Sequence, residues 1–399
     1  MAVGIITEYN PFHCGHAYQI AEIKKFSDAP IIAVMSGNFT QRGEPAILDK
    51  HTRARLAVKN GCDLIFELPF TSAVRSAQDF ARGAIRLLTS LGVVDTLAFG
   101  AEISDLSALK LAAKSFDEKF FAEELRRQMS QGMSYAAAVT KILSGVTGLD
   151  EKILRQPNTI LAIEYLRALP EKISPLLIKR IGAAYNDLTL HEKLSGASAI
   201  RLALRKSSPP WENLSAQVDE ETLTILRKEK NADLVDENFL YRPIMTKLLT
   251  ARADMLKKIY GMTEGLEYRL LNVSGKNFSE VVTNLVGRRY TASRIRRLLL
   301  HFLLNVTAEE IAETEGAICA RVLAFNERGR ILLKKIAVPI VTKLTKHLNR
   351  RDIIERRRQL EPYQKILLAD VLSSNLRAML FRTPRQMFTD FTAAPIFVR

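Results

Sequence analysis

The first half of the chain alternates short apolar runs with longer stretches of helical periodicity. Apolar runs of strand length predict β-strands at residues 3–6, 31–35, 63–68, 96–99 and 176–181. Amphipathic stretches predict helices near residues 16–26, 50–60 and 73–91, with a mostly helical segment over 105–146. Strands that are apolar on both faces are typical of a parallel sheet covered by helices on both sides. The pattern therefore predicts an α/β unit with a parallel sheet.

The second half shows almost only the helical period. Helices are predicted at residues 220–231, 243–260, 278–287, 292–305, 308–323, 326–349 and 361–380. The composition turns to that of a linker at Lys206-Ser207-Ser208-Pro209-Pro210. We therefore predict a domain boundary there, with an α/β domain over residues 1–205 and an all-α domain over residues 206–399.

The composition is that of a soluble globular protein, with 47% hydrophobic and 25% charged residues among 399. The sequence contains no run of about 18 apolar residues, the length needed to cross a membrane. The N-terminus also lacks a basic region followed by an apolar segment, as a signal peptide would have. We therefore expect a cytoplasmic protein with no membrane partner. Cys14, Cys62 and Cys319 are too scattered for a disulfide framework or a zinc site, and no metal ligands are predicted.

The formal net charge is +15, and most of it lies in the second half. Residues 1–205 hold 25 Lys and Arg against 21 Asp and Glu, whereas residues 206–399 hold 33 against 22. A basic helical half suggests a polyanionic partner, with nucleic acid ahead of an acidic membrane. The alternative is that the positive charge only keeps the protein soluble.

The turn after the first predicted strand carries the strongest chemical signal. It reads Tyr9-Asn10-Pro11-Phe12-His13-Cys14-Gly15-His16 and leads into the first predicted helix. The first N–H groups of a helix have no partners inside it, so this position suits a phosphate. The imidazoles of His13 and His16 can donate to phosphate oxygens, and Gly15 lets a nucleotide approach the backbone. The alternative is a loop in which one histidine caps the helix or fills a gap.

Polar residues also follow the other predicted strands, at the edge where parallel sheets bind ligands. Arg42, in the loop over residues 36–45, suits a carboxylate or a phosphate, although it could be an ordinary exposed arginine. Gly100 would let adenosine lie against the main chain, or is a simple turn glycine. Arg180, beside Lys179, could balance triphosphate charge.

Two predicted helix starts add candidates. Asn158 follows Pro157 in the first turn of a helix, where it could bind a ligand or only cap the helix. The segment S-G-A-S-A-I-R at residues 195–201 would present Ser198 and Arg201 to a phosphate, although similar strings occur in flexible linkers.

The most basic helical element of the second half spans residues 286–297. Apolar residues recur at i, i+3, i+4 and i+7 from Ile295 and predict its buried face. The residues outside that face are predicted to bind RNA phosphates and to stack on an unpaired base: Arg288, Arg289, Tyr290, Arg294 and Arg297. The alternative is a solvated helix face.

Several strings along the chain resemble a known family. H-x-G-H at residues 13–16, together with S-G-A-S-A-I-R, resembles the HIGH-type nucleotidyltransferase superfamily, although many members have a Ser-Ser-Thr core in the second motif. The longer strings are similar to those of the bacterial tRNA(Met) cytidine acetate ligase family: EYNPFHCGH, MSGNFTQRGEPA, FGAE, PNTILAIEYL, KRIGA and RRYTASRIRRLL.

This resemblance implies a Rossmann-like nucleotidyltransferase domain followed by an all-α, tRNA-binding domain. It implies an enzyme that activates acetate with ATP as acetyl-adenylate and acetylates N4 of the wobble cytidine in the anticodon of elongator tRNA(Met). It also implies Mg²⁺ bound through the ATP phosphates, and His13 and His16 as the residues that stabilise phosphate charge. The ATP-binding residues carried over by motif, or suggested by their position, are Ile6, Thr7, Glu8, Tyr9, Asn10, Pro11, Phe12, His13, Cys14, Gly15, His16, Ala17, Tyr18, Gln19, Gly100, Asn158, Arg180 and Ser198.

Two other functions stay open from the sequence. One is an adenylyltransferase or ligase acting on a small metabolite, although the basic helical half would then lack a purpose. The other is a non-catalytic RNA-binding protein on a relic nucleotide fold, against which the intact H-x-G-H motif argues.

Overall fold

The fold is built around a mixed sheet. A computed structural model describes residues 1–181, 189–190, 194–263, 265–287, 289–355 and 359–399. The strands are β1 (Ala2–Thr7), β2 (Ile31–Ser36), β3 (Leu64–Leu68), β4 (Val94–Ala101), β5 (Ser174–Lys179), β6 (Ala320–Phe325), β7 (Ile340–Val341) and β8 (Ile396–Phe397). The five strands predicted in the first half are confirmed.

The strand order creates a ligand-binding edge. The order is β5-β4-β1-β2-β3-β6-β7, with β8 paired to β6. Strands β1 to β5 run parallel to one another, and β2 and β3 are buried along their whole length. From β1 the chain continues to β2 and β3 on one side of the sheet and then crosses to β4 and β5 on the other side. The strand order therefore reverses between β1 and β4, and a crevice opens at the carboxyl ends of these two strands. The predicted Rossmann-like fold class is confirmed.

Helices cover this sheet in the first half of the chain. They are α1 (Cys14–Phe26), α2 (Lys50–Lys59), α3 (Phe70–Ala73), α4 (Ala77–Ser90), α5 (Leu106–Ser115), α6 (Lys119–Ser130), α7 (Tyr135–Thr147), α8 (Glu151–Leu154), α9 (Pro157–Ala168) and α10 (Ala197–Arg205). Many begin at side-chain caps, as Asp49 shows by accepting from the His51 and Thr52 N–H groups.

The second half is mainly helical, as predicted. Its helices are α11 (Trp211–Ser215), α12 (Glu220–Ala232), α13 (Tyr241–Leu248), α14 (Ala253–Leu256), α15 (Leu266–Leu271), α16 (Phe278–Leu285), α17 (Ala292–Leu304), α18 (Ala308–Thr314), α19 (Glu327–Leu333), α20 (Arg350–Glu355) and α21 (Pro362–Ala378). None of the helices described is long and apolar enough to cross a membrane.

Strands in the second half correct two helix predictions. Continuous helices over residues 308–323 and 326–349 are wrong, because β6 and β7 occupy parts of both segments. β6 pairs antiparallel with β3, and its apolar run is buried. A short buried apolar run cannot be assigned to helix or strand by periodicity alone. The helical half therefore also extends the sheet beyond β3.

Packing is continuous across the predicted boundary at residue 205. Ile200 and Leu204 of α10 share a hydrophobic cluster with Leu223 and Leu226 of α12. The division of the chain at this point stays a prediction, and the two segments share a core.

A buried ionic cluster also ties the sheet to the C-terminal segment. Lys50 Nζ lies 2.8 Å from Glu67 Oε1 and 3.1 Å from Asp390 Oδ1. Arg321 Nη2 lies 2.8 Å from the same Asp390 oxygen. Removing one partner of such a pair leaves a buried charge uncompensated, which is strongly destabilising. The cluster therefore fixes β3 against the end of the chain.

Candidate active site

A cavity of about 740 Å³ lies at the carboxyl ends of β1, β4 and β5. Its wall contains the turn after β1, part of the loop after β2, and the N-terminal ends of α9, α10 and α17. The predicted ATP-binding residues that line it are Ile6, Thr7, Glu8, Tyr9, Asn10, His13, Gly15, His16, Tyr18, Gln19, Gly100, Asn158, Arg180 and Ser198. The structure thus brings together strand-end residues that are far apart in the sequence.

Four predicted ATP-binding residues are not in the cavity wall: Pro11, Phe12, Cys14 and Ala17. Phe12 is buried in the core against the Tyr9 ring. The Cys14 thiol points to the Ala216 carbonyl, 3.6 Å away. Phe12 and Cys14 therefore pack away from the cavity.

His13 and His16 cap the helix that carries them. The Gly15 N–H donates to His13 Nδ1 over 3.0 Å, and the His13 N–H donates to His16 Nδ1 over 3.3 Å. The two ring centroids are 3.8 Å apart. A neutral imidazole that accepts at Nδ1 carries its proton at Nε2. Each histidine therefore caps the helix and still has one donor, the Nε2–H, for a ligand.

Both imidazoles are neutral at physiological pH. Burial lowers the pKa of His13 to about 3, and Arg180 and Arg201 add to this effect. Burial, followed by His13 and Arg180, holds the pKa of His16 well below its usual range. The pair can therefore offer N–H dipoles to a phosphate without adding positive charge.

The N-terminus of α1 differs from the sequence prediction. The Cys14 N–H donates to the Gln217 carbonyl over 2.8 Å, and the Gly15 N–H donates to the His13 ring. The N–H groups of the next two residues donate to the His13 carbonyl. The expectation of free N–H groups at this helix end is wrong, because a distant segment and the first histidine already satisfy them.

Gln217 joins the two signature segments and is missed by the sequence prediction. Its carbonyl accepts from Cys14, while its buried side-chain Oε1 accepts from the Ser195 N–H over 2.7 Å. A single glutamine after a linker carries no pattern that would single it out. Only the fold shows that it connects the H-x-G-H turn to the start of the second motif.

An open helix end is found instead at α10. Its N-cap, Gly196, provides no side-chain cap. The N–H groups of residues 197–199 have no partner within the part of the chain that the structure describes. Ala197 and Ser198 line the cavity. Unpaired N–H groups and the positive end of the helix dipole make this end suitable for an anion.

Arg201 holds α10 against the turn after β1. Its guanidinium donates to the Asn10 carbonyl over 2.8 Å, to Glu44 Oε2 over 2.8 Å and to Ser198 Oγ over 3.3 Å. The side chain also lines the cavity. The predicted presentation of Ser198 and Arg201 to the cavity agrees with this placement, and their binding role stays a prediction.

Arg53, which the sequence prediction missed, is a buried arginine that holds the strand ends next to the cavity. Arg53 of α2 is fully buried and donates to the carbonyls of Glu8, Ser36 and Gly37. Burial lowers the pKa of Arg53 to about 10, so it remains charged at neutral pH. It fixes the carboxyl ends of β1 and β2 relative to each other.

Glu8 links the first turn to the loop after β2. Its Oε1 accepts from the Gln41 N–H over 2.6 Å, and burial raises the pKa of Glu8. Arg42, the predicted anion ligand of this loop, lies in the cavity wall.

Gly100, Asn158 and Arg180 gather around Glu102. Asn158 Nδ2 donates to Glu102 Oε1 over 2.7 Å, and Arg180 Nε lies 4.0 Å from the same oxygen. A Cβ at position 100 would lie 3.2 Å from Arg180 Cγ, so glycine leaves room for the arginine. Glu102 ends the string FGAE, but nothing in the sequence assigns it this role.

The basic helix α17 reaches the same cavity. Its N-terminal residues 291–293 line the wall, together with Arg296 and Arg297. Arg297 Nη1 donates to the Gln41 carbonyl over 3.2 Å, and burial lowers the pKa of Arg297 to about 10. This predicted RNA ligand therefore faces the cavity and the loop after β2.

The other predicted RNA ligands lie outside the cavity wall. Tyr290 is only 5% exposed, and the Arg294 guanidinium carbon lies 4.8 Å from its ring centroid. The Arg269 guanidinium carbon also lies 5.6 Å from this ring centroid, and the Tyr290 hydroxyl donates to the Thr263 carbonyl over 3.2 Å. The ring is therefore covered rather than exposed for stacking, and its role in RNA binding stays a prediction. Arg289 is exposed, and Arg288 lies outside the described residues.

Comparison with known proteins gives matches along the whole chain. The sequence profile of the HIGH Nucleotidyl Transferase family matches residues 1–389. The chain is 35% identical to the tRNA(Met) cytidine acetate ligase of Halothermothrix orenii, over 96% of this chain and 95% of the relative. It is 34% identical to the protein of the same name from Acetivibrio thermocellus, over 98% of each chain.

Solved structures give the same picture. Apo Thermotoga maritima TmcAL superposes with a TM-score of 0.89 at 31% sequence identity. The form of that protein bound with alpha-thio ATP superposes with a TM-score of 0.86 at 30% identity, and both matches cover 100% of each chain.

Proposed function

We propose that this chain, which belongs to the tRNA(Met) cytidine acetate ligase family of HIGH nucleotidyl transferases, is an ATP-dependent tRNA acetylating enzyme. It activates acetate as acetyl-adenylate and acetylates N4 of the wobble cytidine of elongator tRNA(Met), forming N4-acetylcytidine. The observation that carries the proposal is one cavity in which His13, His16, the open end of α10 and the basic helix α17 meet.

ATP would lie across the switch point of the sheet. Its phosphates would accept from the Nε2–H groups of His13 and His16, from the N–H groups at the start of α10 and from Arg180. Gly100 and Asn158 line the other part of the cavity, beside apolar side chains of α9, and suit the adenosine. The relative bound with alpha-thio ATP supports nucleotide binding on this fold.

The first step needs placement and charge stabilisation rather than a protein nucleophile. A carboxylate oxygen of acetate attacks the α-phosphorus, the bond to the bridging oxygen breaks, and pyrophosphate leaves. Negative charge moves onto the phosphate oxygens as this happens, so pre-oriented N–H donors stabilise the transition state. Neutral imidazole donors fit this task.

Mg²⁺ is proposed to enter with ATP. Among the residues that the structure describes, no three His, Cys, Asp or Glu side chains converge as metal ligands. Glu8 and Glu44 in the cavity wall already accept from Gln41 and Arg201. The ion would therefore be held mainly by phosphate oxygens, whose charge it neutralises.

The second step transfers the acetyl group to RNA. The N4 amine of cytidine attacks the acyl carbon, AMP leaves, and the amine loses one proton. The base must leave its stack in the anticodon loop to reach the cavity. The N-terminal end of α17, which belongs to the basic half of the chain, lines the cavity in which we expect the nucleotide to bind. Because the acceptor is a tRNA, we expect this protein to act in the cytoplasm.

Incubation of the purified protein with ATP and labelled acetate tests this proposal. We expect acetyl-adenylate and pyrophosphate without RNA, and labelled acetylcytidine when elongator tRNA(Met) is added. Activation of another carboxylic acid with no transfer to RNA would favour the small-metabolite ligase. Binding of tRNA with neither product would contradict an enzymatic function.

A further inference from the structure

Glu102 caps a helix from outside it. The residue follows β4, and its carboxylate lies at the N-terminus of α9. Oε2 accepts from the Thr159 N–H over 2.9 Å and from Thr159 Oγ1 over 2.8 Å, while Oε1 accepts from Asn158 Nδ2 over 2.7 Å. Pro157, at the first position of the helix, has no N–H. The carboxylate therefore caps this end of α9 and places a negative charge there, which disfavours a ligand phosphate.

The same contacts fix the side-chain amide of Asn158. A carboxylate offers only acceptors, so the amide must direct its NH₂ group at Glu102. The remaining polar atom is Oδ1, which has no partner among the described residues. Asn158 lines the cavity, whereas Glu102 does not. Asn158 Oδ1 is therefore the atom that can accept a hydrogen bond from a ligand in the cavity.

The surroundings of Asn158 suit a purine ring. Pro157, Ile160 and Leu161, all from the first turns of α9, line the cavity with it, and Ile178 of β5 lies in the same wall. Apolar side chains accommodate the faces of a base better than the hydroxyl groups of a ribose. An acceptor at the edge of such a pocket would meet the 6-amino group of adenine. The same atom would oppose the 6-carbonyl oxygen of hypoxanthine or guanine.

We propose that Glu102 is a positioning residue that sets nucleotide specificity, by holding Asn158 with its acceptor towards the 6-amino group of adenine. The inference rests on the proposed use of ATP at this site and adds the residue that selects the base. Glu102 does not touch the nucleotide itself. Glu102 affects base selection only by fixing the orientation of the Asn158 side-chain amide.

The substitution Glu102→Gln makes a specific prediction. The glutamine oxygen can still accept from Thr159, but its NH₂ group then faces Asn158. Asn158 must turn its amide to place Oδ1 against that donor, and its own NH₂ group then points into the cavity. The acceptor becomes a donor, which favours a 6-carbonyl over a 6-amino group. Thr159→Val is the matched control, because it removes one bond to Glu102 without changing the contact with Asn158.

The experiment measures Kd for ATP and for inosine triphosphate by calorimetry, with the full chain and without acetate or RNA. We expect the wild type and Thr159→Val to prefer ATP at least about tenfold, as an unmade hydrogen bond costs about this much. Glu102→Gln should lower the ratio about tenfold or invert it. Thermal unfolding of each variant checks that it is folded.

Three results would overturn the inference. They are a wild type that does not prefer ATP, an unchanged ratio in folded Glu102→Gln, and an equal change in Thr159→Val. Loss of binding with 2′-deoxy-ATP or 3′-deoxy-ATP but not with inosine triphosphate would place Asn158 at the ribose and also contradict it. A wild type that shows the expected ratio but forms no acetyl-adenylate would contradict the proposed function and leave this inference intact.

Discussion

The two imidazoles of the H-x-G-H turn are held as neutral donors by three local effects. Burial removes water, the positive charge of Arg180 disfavours protonation of both rings, and each Nδ1 already accepts a backbone N–H. Protonation at Nδ1 would also break the helix cap. His13 and His16 are therefore suited to donate from Nε2 rather than to act as acid or base.

Paired substitutions at His16 separate these two roles. His16→Asn keeps an acceptor near the Nδ1 position for the His13 N–H and removes the Nε2 donor. We expect acetate-dependent adenylate formation to fall about 10²–10³-fold, the usual effect of removing one transition-state donor, with little change in Tm. His16→Gln can place an NH₂ group near the Nε2 position but loses the cap, so it should lower Tm and keep more activity. Adenylation by His16→Asn at the wild-type rate would exclude the donor role.

The low pKa of His13 predicts a proton-uptake signature. Its pKa is about 3 in the folded chain against an ordinary value of 6.5, so the unfolded chain binds more protons between these values. The stability due to neutral His13 is fully present above pH 6.5 and is lost as the pH falls towards 3. Its contribution changes by up to about 1.4 kcal/mol per pH unit.

Potentiometric measurement of proton uptake on unfolding at pH 5 checks this. His13→Asn keeps an N-cap residue and removes the titrating group, so uptake should fall by about one proton relative to the wild type. Equal uptake by the two proteins would mean that His13 titrates normally in the folded state.

At the scale of elements, two helix ends in one cavity differ in what they can bind. The end of α1 is closed by His13 and by Gln217, whereas the N–H groups of residues 197–199 at the end of α10 have no partner among the described residues. We therefore expect the backbone of α10 and the side chains of α1 to bind the phosphates.

A proline scan at first helical positions tests this assignment. Gly196 has φ −74° and ψ 157°, which allows a following proline, so Ala197→Pro removes one N–H without disturbing the helix. We expect Kd for ATP to rise about tenfold, the loss of one charge-assisted hydrogen bond. Glu220→Pro at the first position of α12 is the control, since Asp219 also has an extended backbone there. An ATP affinity that Ala197→Pro leaves unchanged would remove α10 from the phosphate site.

The sequence predicted these elements better than their contacts. Apolar runs and polar turns located β1 to β5, because these strands leave a plain hydrophobic signal, most clearly in β2 and β3, which are buried along their whole length. β6 was not predicted, because its partner β3 lies more than 250 residues earlier in the chain. The closing of α1 by Gln217 and the capping of α9 by Glu102 are also long-range contacts, which local periodicity cannot encode. The motif residues themselves were found, and most of them line the cavity.

At the scale of the whole molecule, the basic half adjoins the nucleotide site instead of standing apart from it. The string over residues 286–297, which leads into α17, holds five arginines and no acidic residue, and the first turn of α17 lines the cavity. The Gln41 backbone connects the two halves, because its N–H donates to Glu8 and its carbonyl accepts from Arg297. Acetyl-adenylate would form beside the surface that we expect to bind RNA.

This arrangement predicts different outcomes for neighbouring arginines. Replacing Arg289 and Arg294 with alanine should weaken tRNA binding and lower the slope of log K against log salt by about 2, with adenylate formation unchanged. Arg297→Ala should instead impair adenylate formation, because it releases the Gln41 loop from the cavity wall. Binding titrations over a range of salt concentrations measure the first effect, and acetate-dependent pyrophosphate exchange measures the second. An unchanged salt slope would move the RNA surface elsewhere on the basic half.

Mass spectrometry of the anticodon fragment of elongator tRNA(Met), after incubation with the protein, tests acetyl transfer to the wobble cytidine directly. We expect N4-acetylcytidine at the wobble position only when ATP and acetate are both present, and none with His16→Asn at matched protein concentration and time. An unmodified wobble cytidine, in a preparation of folded protein that binds ATP and this tRNA, would contradict the proposed function.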